Sequence, residues 1–193
     1  MHVAKTGTVA ADCVAERTEA TGSATNSDTG FRLTSSGGLA VNLLAIGTGT
    51  AQGLQYGLLN GSTPAFYGCT VHNVHDTGYT GAHSVRLIIG CAATDCGTED
   101  FENATWSSSC SHNLSSDTTA PGSSAQTSQS SANTWEDAGG DDFTPKDTGG
   151  AYDNGTDTSG ATGISTDING TDRPQDAEYD IGCTERILAT FDI

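Results

Sequence analysis

Phe66–Phe101, FYGCTVHNVHDTGYTGAHSVRLIIGCAATDCGTEDF, reads as one unit written twice. A β-rich run ends in Gly68-Cys69 and again in Gly90-Cys91, and each is followed by a polar stretch and an aromatic, Tyr79 and then Phe101. Cys69 to Cys91 and Tyr79 to Phe101 are both separations of 22 residues, the period expected of one coil of a parallel β-helix. Working back toward the N-terminus, Asp12-Cys13 and Asn42-Leu43 fall at positions equivalent to Gly68-Cys69, at intervals of 30, 26 and 22 residues. The second landmark repeats in phase as Gly30-Phe31, Gly57-Leu58, Gly78-Tyr79 and Asp100-Phe101.

Stacking such units about 4.8 Å apart lines up Cys13, Leu43, Cys69 and Cys91 as an interior ladder. Val85–Ile89 alternates as a strand with one inward face. The expected fold is therefore all-β: a right-handed parallel β-helix, or solenoid, of about four to six coils with an irregular Asp/Gly-rich C-terminal cap. Residues 1–106 are expected to form the coils, 107–134 a Ser/Thr-rich loop packed on or projecting from them, and 135–193 the last coils and cap, within one domain. Trp106 and Trp135 flank that loop and are placed to pin it back. No stretch carries a helix signal, because the Ala-rich runs are short and broken by Gly and Thr.

Composition suits this reading. Hydrophobic residues make up 34% and aromatics 6%, thin for a compact globule, while Ser, Thr, Gly, Asn and Asp supply turns. The formal net charge is −17, from 24 acidic and 7 basic residues, so a nucleic acid or an anionic membrane is a poor partner. No apolar run approaches the ~20 residues of a membrane-spanning helix. The first residues, MHVAKTGTVAADCVAE, lack the apolar centre of a signal peptide; either a signal was removed, or the chain leaves its cell by lysis or within a virion. Six cysteines without a Cys-x-x-Cys spacing exclude a zinc ribbon or thioredoxin-type site. They read as small buried hydrophobes, with Cys69–Cys91 or Cys91–Cys96 disulfides left open.

The C-terminal part carries a further pattern: Asp142-Phe143, then Asp167-Ile168-Asn169-Gly170-Thr171-Asp172-Arg173-Pro174, then Asp180-Ile181-Gly182-Cys183-Thr184-Glu185, with Ser116–Gly122 upstream. This resembles the terminal segment of right-handed parallel β-helix repeat proteins of the secreted bacterial and phage surface type. Pro145 and Cys183 depart from that pattern. The resemblance implies an architecture and an extracellular or virion-surface setting, and is nearly silent on activity.

Several residues are candidates for chemistry. Asp153, Asp157, Asp167, Asn169 and Asp172 place oxygen ligands on Gly-centred turns, the donor type calcium takes; Asx-turns account for the same residues. Asn60, Asn103, Asn113, Asn154 and Asn169 begin Asn-x-Ser/Thr sequons, open to glycosylation in a host with the machinery. Asp141-Asp142 superficially matches the paired acids of polygalacturonase-like hydrolases, without their other signatures. Arg86 is a candidate lyase base with no acidic group beside it. His72, His75 and His83 read as surface polar residues, since positions three apart on a strand face opposite ways.

No catalytic residue or required cofactor is assigned. The expected function is a non-enzymatic structural or adhesive protein, extracellular or on a virion. Met1–Val14 reads like a further coil with nothing to cover its edge: a truncated start, an unseen small cap, or an open end that joins a copy of itself or a surface scaffold. The alternative is a polysaccharide-binding or -degrading protein.

Overall fold

A computed structural model describes residues 2–3, 9–16, 29–33, 38–50, 56–60, 65–81, 87–102 and 105–187. Its elements run β1 (His2–Val3), β2 (Val9–Glu16), β3 (Thr29–Leu33), β4 (Leu39–Ile46), β5 (Tyr56–Asn60), β6 (Ala65–Tyr67), β7 (Thr70–His72), β8 (Thr77–Gly81), β9 (Leu87–Ile89), β10 (Ala92–Thr94), β11 (Glu99–Phe101), β12 (Leu114–Ser115), α1 (Ser131–Thr134), β13 (Trp135–Asp137), β14 (Asp142–Pro145) and α2 (Ser159–Thr162). Five strands pair in parallel in the order β1-β3-β5-β8-β11. A second parallel sheet has seven, in the order β12-β10-β7-β4-β6-β9, with β2 also on β4; β13 and β14 form an antiparallel pair.

The register follows the repeated landmarks. In the five-stranded sheet Phe31 pairs with Leu58, Leu58 with Tyr79, and Tyr79 with Phe101. In the seven-stranded sheet Cys13 pairs with Leu43; the Leu43 amide points at Cys69 Sγ (3.5 Å) and the Cys69 amide at Cys91 Sγ (3.4 Å). Asn113 continues the row, its Oδ1 accepting from the Cys91 amide at 3.0 Å. The residue before each of these has positive φ: Asp12, Asn42, Gly68, Gly90 and His112, between 50° and 65°. Asp, Asn and Gly are the residues that occupy this left-handed region at least cost, so one corner is repeated from strand to strand.

Phe31, Leu58, Phe66, Tyr79, Ile88 and Phe101 fill the core between the sheets with Cys69, Cys91 and Cys110. Tyr79 stacks on Phe101 with ring centroids 4.7 Å apart, and its hydroxyl donates to Cys69 O and Ala92 O. All six cysteines are free. Trp106 packs edge-on to Phe101. The Ser/Thr-rich stretch carries β12 and parallel bridges from Ser111 to Ser123 and from Leu114 to Gln126.

A second core lies on the other face of the seven-stranded sheet. Trp135, Phe143, Ala151, Ile181 and Cys183 pack there on Leu44, Ile46, Ala92 and Leu114. The Gly182 amide donates to Gly90 O and the Cys183 amide to Thr70 Oγ1, so the last third of the chain crosses strands β7 and β10 broadside. That segment is a third layer on a sheet face, and it contains α1 and α2.

The class is thus mixed α/β, with a seven-stranded parallel sheet, a second parallel sheet and two short helices. This corrects the expectation of an all-β right-handed parallel β-helix of about four to six coils with an irregular cap. The physical reason is local. Four-residue helices are too short to leave a 3.6-residue periodicity, and these arise where Ser and Thr close their own turns: Thr134 Oγ1 donates to Ser130 O, and Thr162 Oγ1 to Thr158 O. Of the remaining sequence expectations, His83, Arg86, Asn103 and residues 188–193 lie outside the described residues.

Candidate functional site

The third layer covers β4, β7, β10 and β12 but stops short of β2. Where it stops, a groove of about 490 Å³ opens between β2 and the segment around β14. Its apolar floor is Val14, Leu44, Ile46, Phe143 and Ile168, a continuation of the second core that no described residue of the third layer fills. Four carboxylates line it: Asp12 and Glu16 from β2, and Asp141 and Asp142 from the start of β14. Asp12 Oδ1 accepts from Asn42 Nδ2 at 3.0 Å, and Asp142 Oδ1 from the Thr144 amide at 3.0 Å. Both side chains are held by neighbours while their charge faces the groove.

Strand β2 itself has a special position. Among the described residues its pairing partner is β4 alone, along seven registered pairs from Val9 to Glu16. Its burial alternates, and Val9 and Val14 stand 48% and 58% exposed. An edge of this length, carrying no second strand among the described residues, offers amides and carbonyls as a template for another strand.

Behind the groove a buried polar knot holds the third layer together. Arg173 Nε pairs with Glu185 Oε2 at 2.8 Å with both side chains at most 5% exposed. The Arg173 Nη2 group donates to Asp180 O, Gly182 O and Thr184 O. Glu185 also accepts from the Gln175 and Asp180 amides. Asp180 takes the Asp153 amide on one oxygen and the Arg186 amide on the other, both at 2.7 Å. Burial nonetheless pushes the Asp180 carboxyl up to about 7, outweighing these donors and the Arg173 charge. The Arg173-Pro174 and Asp180–Glu185 motifs quoted from the sequence therefore meet as one internal network.

The sequence-derived candidates are scattered over this layer. Asp167 Oδ1 accepts from the Asn169 and Thr171 amides and Oδ2 from the Glu185 amide, an Asx-turn tied to the knot. Asp153 Oδ1 accepts from the Glu178 amide and Asp157 Oδ1 from the Ser159 amide. Asn169 lines the groove, and Asp172 forms a bridge with Thr166. Among the described residues no three His, Cys, Asp or Glu side chains are grouped to hold a metal ion. Asn60 ends β5; Asn154 and Asn169 are exposed. Asn113 is fully buried, its Nδ2 donating to Ile88 O and Pro121 O.

His72 is not a surface residue: it is buried, with Nδ1 3.0 Å from Thr94 Oγ1 and its ring edge-on to Phe143. Burial lowers its pKa against the upward pull of Asp95 and Asp141. Sequence reasoning missed Val14 and Glu16. Their signal was the outward alternation of residues 9–16, legible only once the inward row through Cys13 had been paired.

Compared with protein-family models, with curated proteins and with solved structures, the chain matches none.

Proposed function

We propose that this protein is a non-enzymatic structural or adhesive component that joins another chain through the outer edge of β2. One observation carries the reading: an eight-residue strand, paired on one side only among the described residues, with Val9 and Val14 exposed and Val14 on the floor of an apolar groove. Burying one such valine in a contact contributes roughly 1.5–3 kcal/mol, and added strand pairing supplies direction and register. The partner is a copy of the chain or a surface scaffold, and the setting proposed is extracellular or the virion surface, as the C-terminal pattern implies. Regular assembly, seen as large species by light scattering and as ordered particles by electron microscopy, supports the reading. Val14→Lys should abolish that assembly while the circular dichroism spectrum stays unchanged. A chain that stays monomeric at high concentration, and with cell-surface or particle fractions remains unbound, overturns it.

A second reading, polysaccharide binding or cleavage, is favoured by Asp141 and Asp142 lining the same groove. Incubation with uronate-rich glycans, with and without calcium, tests it through the appearance of unsaturated or reducing ends.

A further inference from the structure

We propose that the partner segment received at β2 is cationic: an extended stretch of another protein in which Lys or Arg alternates with apolar residues. This rests on the edge-docking reading and specifies its partner. The argument is one of complementarity. Alternate residues of an added strand point to opposite faces, so one set faces the side on which Asp12, Val14 and Glu16 of β2 line the groove. Cations in that set lie beside Asp12, Glu16, Asp141 and Asp142, none of which has a cationic partner in the hydrogen bonds and ion pairs of the described residues.

Charge also decides between occupants. A second copy brings a net charge of −17 to four carboxylates, whereas a basic segment neutralises them. Carboxylates at a rim steer and select more than they tighten, so the preference shows as discrimination between partners and as salt dependence. A nucleic acid is repelled by the same charges.

The test uses the full chain and a fluorescent peptide of about ten residues alternating Lys and Val, long enough to span β2. Controls are a Glu/Val peptide and a Lys/Val peptide N-methylated at every residue, which has no amide N–H left to donate to a strand edge on either side. Fluorescence anisotropy should show binding of the Lys/Val peptide, weakening with added salt, and none of the Glu/Val peptide. The combined variant D12N/E16Q/D141N/D142N keeps each side chain's shape and acceptor oxygen, and should bind about tenfold or more weakly. Salt titration of the unaltered chain gives the same answer without any variant. Failure of the Lys/Val peptide to bind, equal binding of the Glu/Val peptide, or indifference to both the variant and salt overturns the cationic partner. In each case assembly through β2 stands on its own test. Charge-selective binding that survives N-methylation overturns the edge-docking reading instead, and the strand pairing inferred here with it.

Discussion

Arg173 shows how much a single buried cation can organise. Its guanidinium satisfies Glu185 and the carbonyls of three buried residues, Asp180, Gly182 and Thr184. Removing it leaves a buried carboxylate without its counter-charge, a loss that typically costs about 3–5 kcal/mol. Arg173→Met should lower the urea midpoint accordingly, and Arg173→Lys should rescue little, because an ammonium cannot reproduce the planar fork. Adding Glu185→Gln to Arg173→Met should recover part of the loss, a coupling that an additive double-mutant cycle would rule out.

Asp180, beside it, gives stability a pH dependence of definite sign. Burial pushes its carboxyl up to about 7 in the folded chain, against an ordinary value of 3.8, so between those values the folded state holds the proton more tightly than the unfolded chain does. The contribution of this group is full below about pH 4 and is lost as pH rises toward 7. Asp100, also raised by burial, acts in the same direction. Asn at position 180 imitates the protonated acid and cannot ionise. The D180N variant should therefore gain on the parent in thermal unfolding as pH goes from 4 to 7, by a few kcal/mol in order of magnitude. A gap that stays constant over that range would mean that Asp180 is ionised throughout.

At the scale of elements, the repeated corner and the inward row were legible because both landmarks carry chemical type. Gly, Asn or Asp marks the left-handed residue, and Cys or Leu marks the one that follows. The row continues past the point where composition hides it. His112-Asn113 stands 22 residues after Gly90-Cys91, yet a buried Asn looks like a loop residue until its partners are seen. Nδ2 of Asn113 closes Ile88 O and Pro121 O while its Oδ1 caps the Cys91 amide, so the polar side chain does the bonding of a strand neighbour. Asn113→Leu fills the volume but leaves the Cys91 amide and Pro121 O unmet and Ile88 O with the Ser111 amide alone. A loss of about 1–3 kcal/mol is expected, with the amide of Cys91 losing hydrogen-exchange protection first. The third layer was not legible, because its anchors are far apart in sequence. Trp135 read as a pin for the Ser/Thr-rich loop, and Phe143, Ile181 and Cys183 as parts of a C-terminal pattern, until the outer face of β4, β7 and β10 collects them. The groove is the remainder of that packing, and no local pattern announces a remainder.

For the whole molecule, charge has two effects with opposite responses to salt. The chain carries 24 acidic and 7 basic residues, so the cations can offset only a minority of the acids. Arg173–Glu185 is buried and hardly screened, while Arg186–Glu136 is partly exposed and contributes little. Repulsion among the remaining carboxylates is relaxed when the chain expands, so it opposes folding, and screening it favours the compact state. Raising sodium chloride from about 0.01 to about 0.5 M shortens the screening length from roughly 30 Å to a few ångströms. The unfolding temperature should rise across that interval, whereas affinity for a cationic segment at the β2 groove should fall. If the unfolding temperature fell instead, attractive ion pairs would outweigh the repulsion, and the groove carboxylates would have to be paired with cations inside the chain. The two salt series, measured on one preparation, therefore check each other: the repulsion that leaves the groove acidic is the same repulsion that added salt relieves.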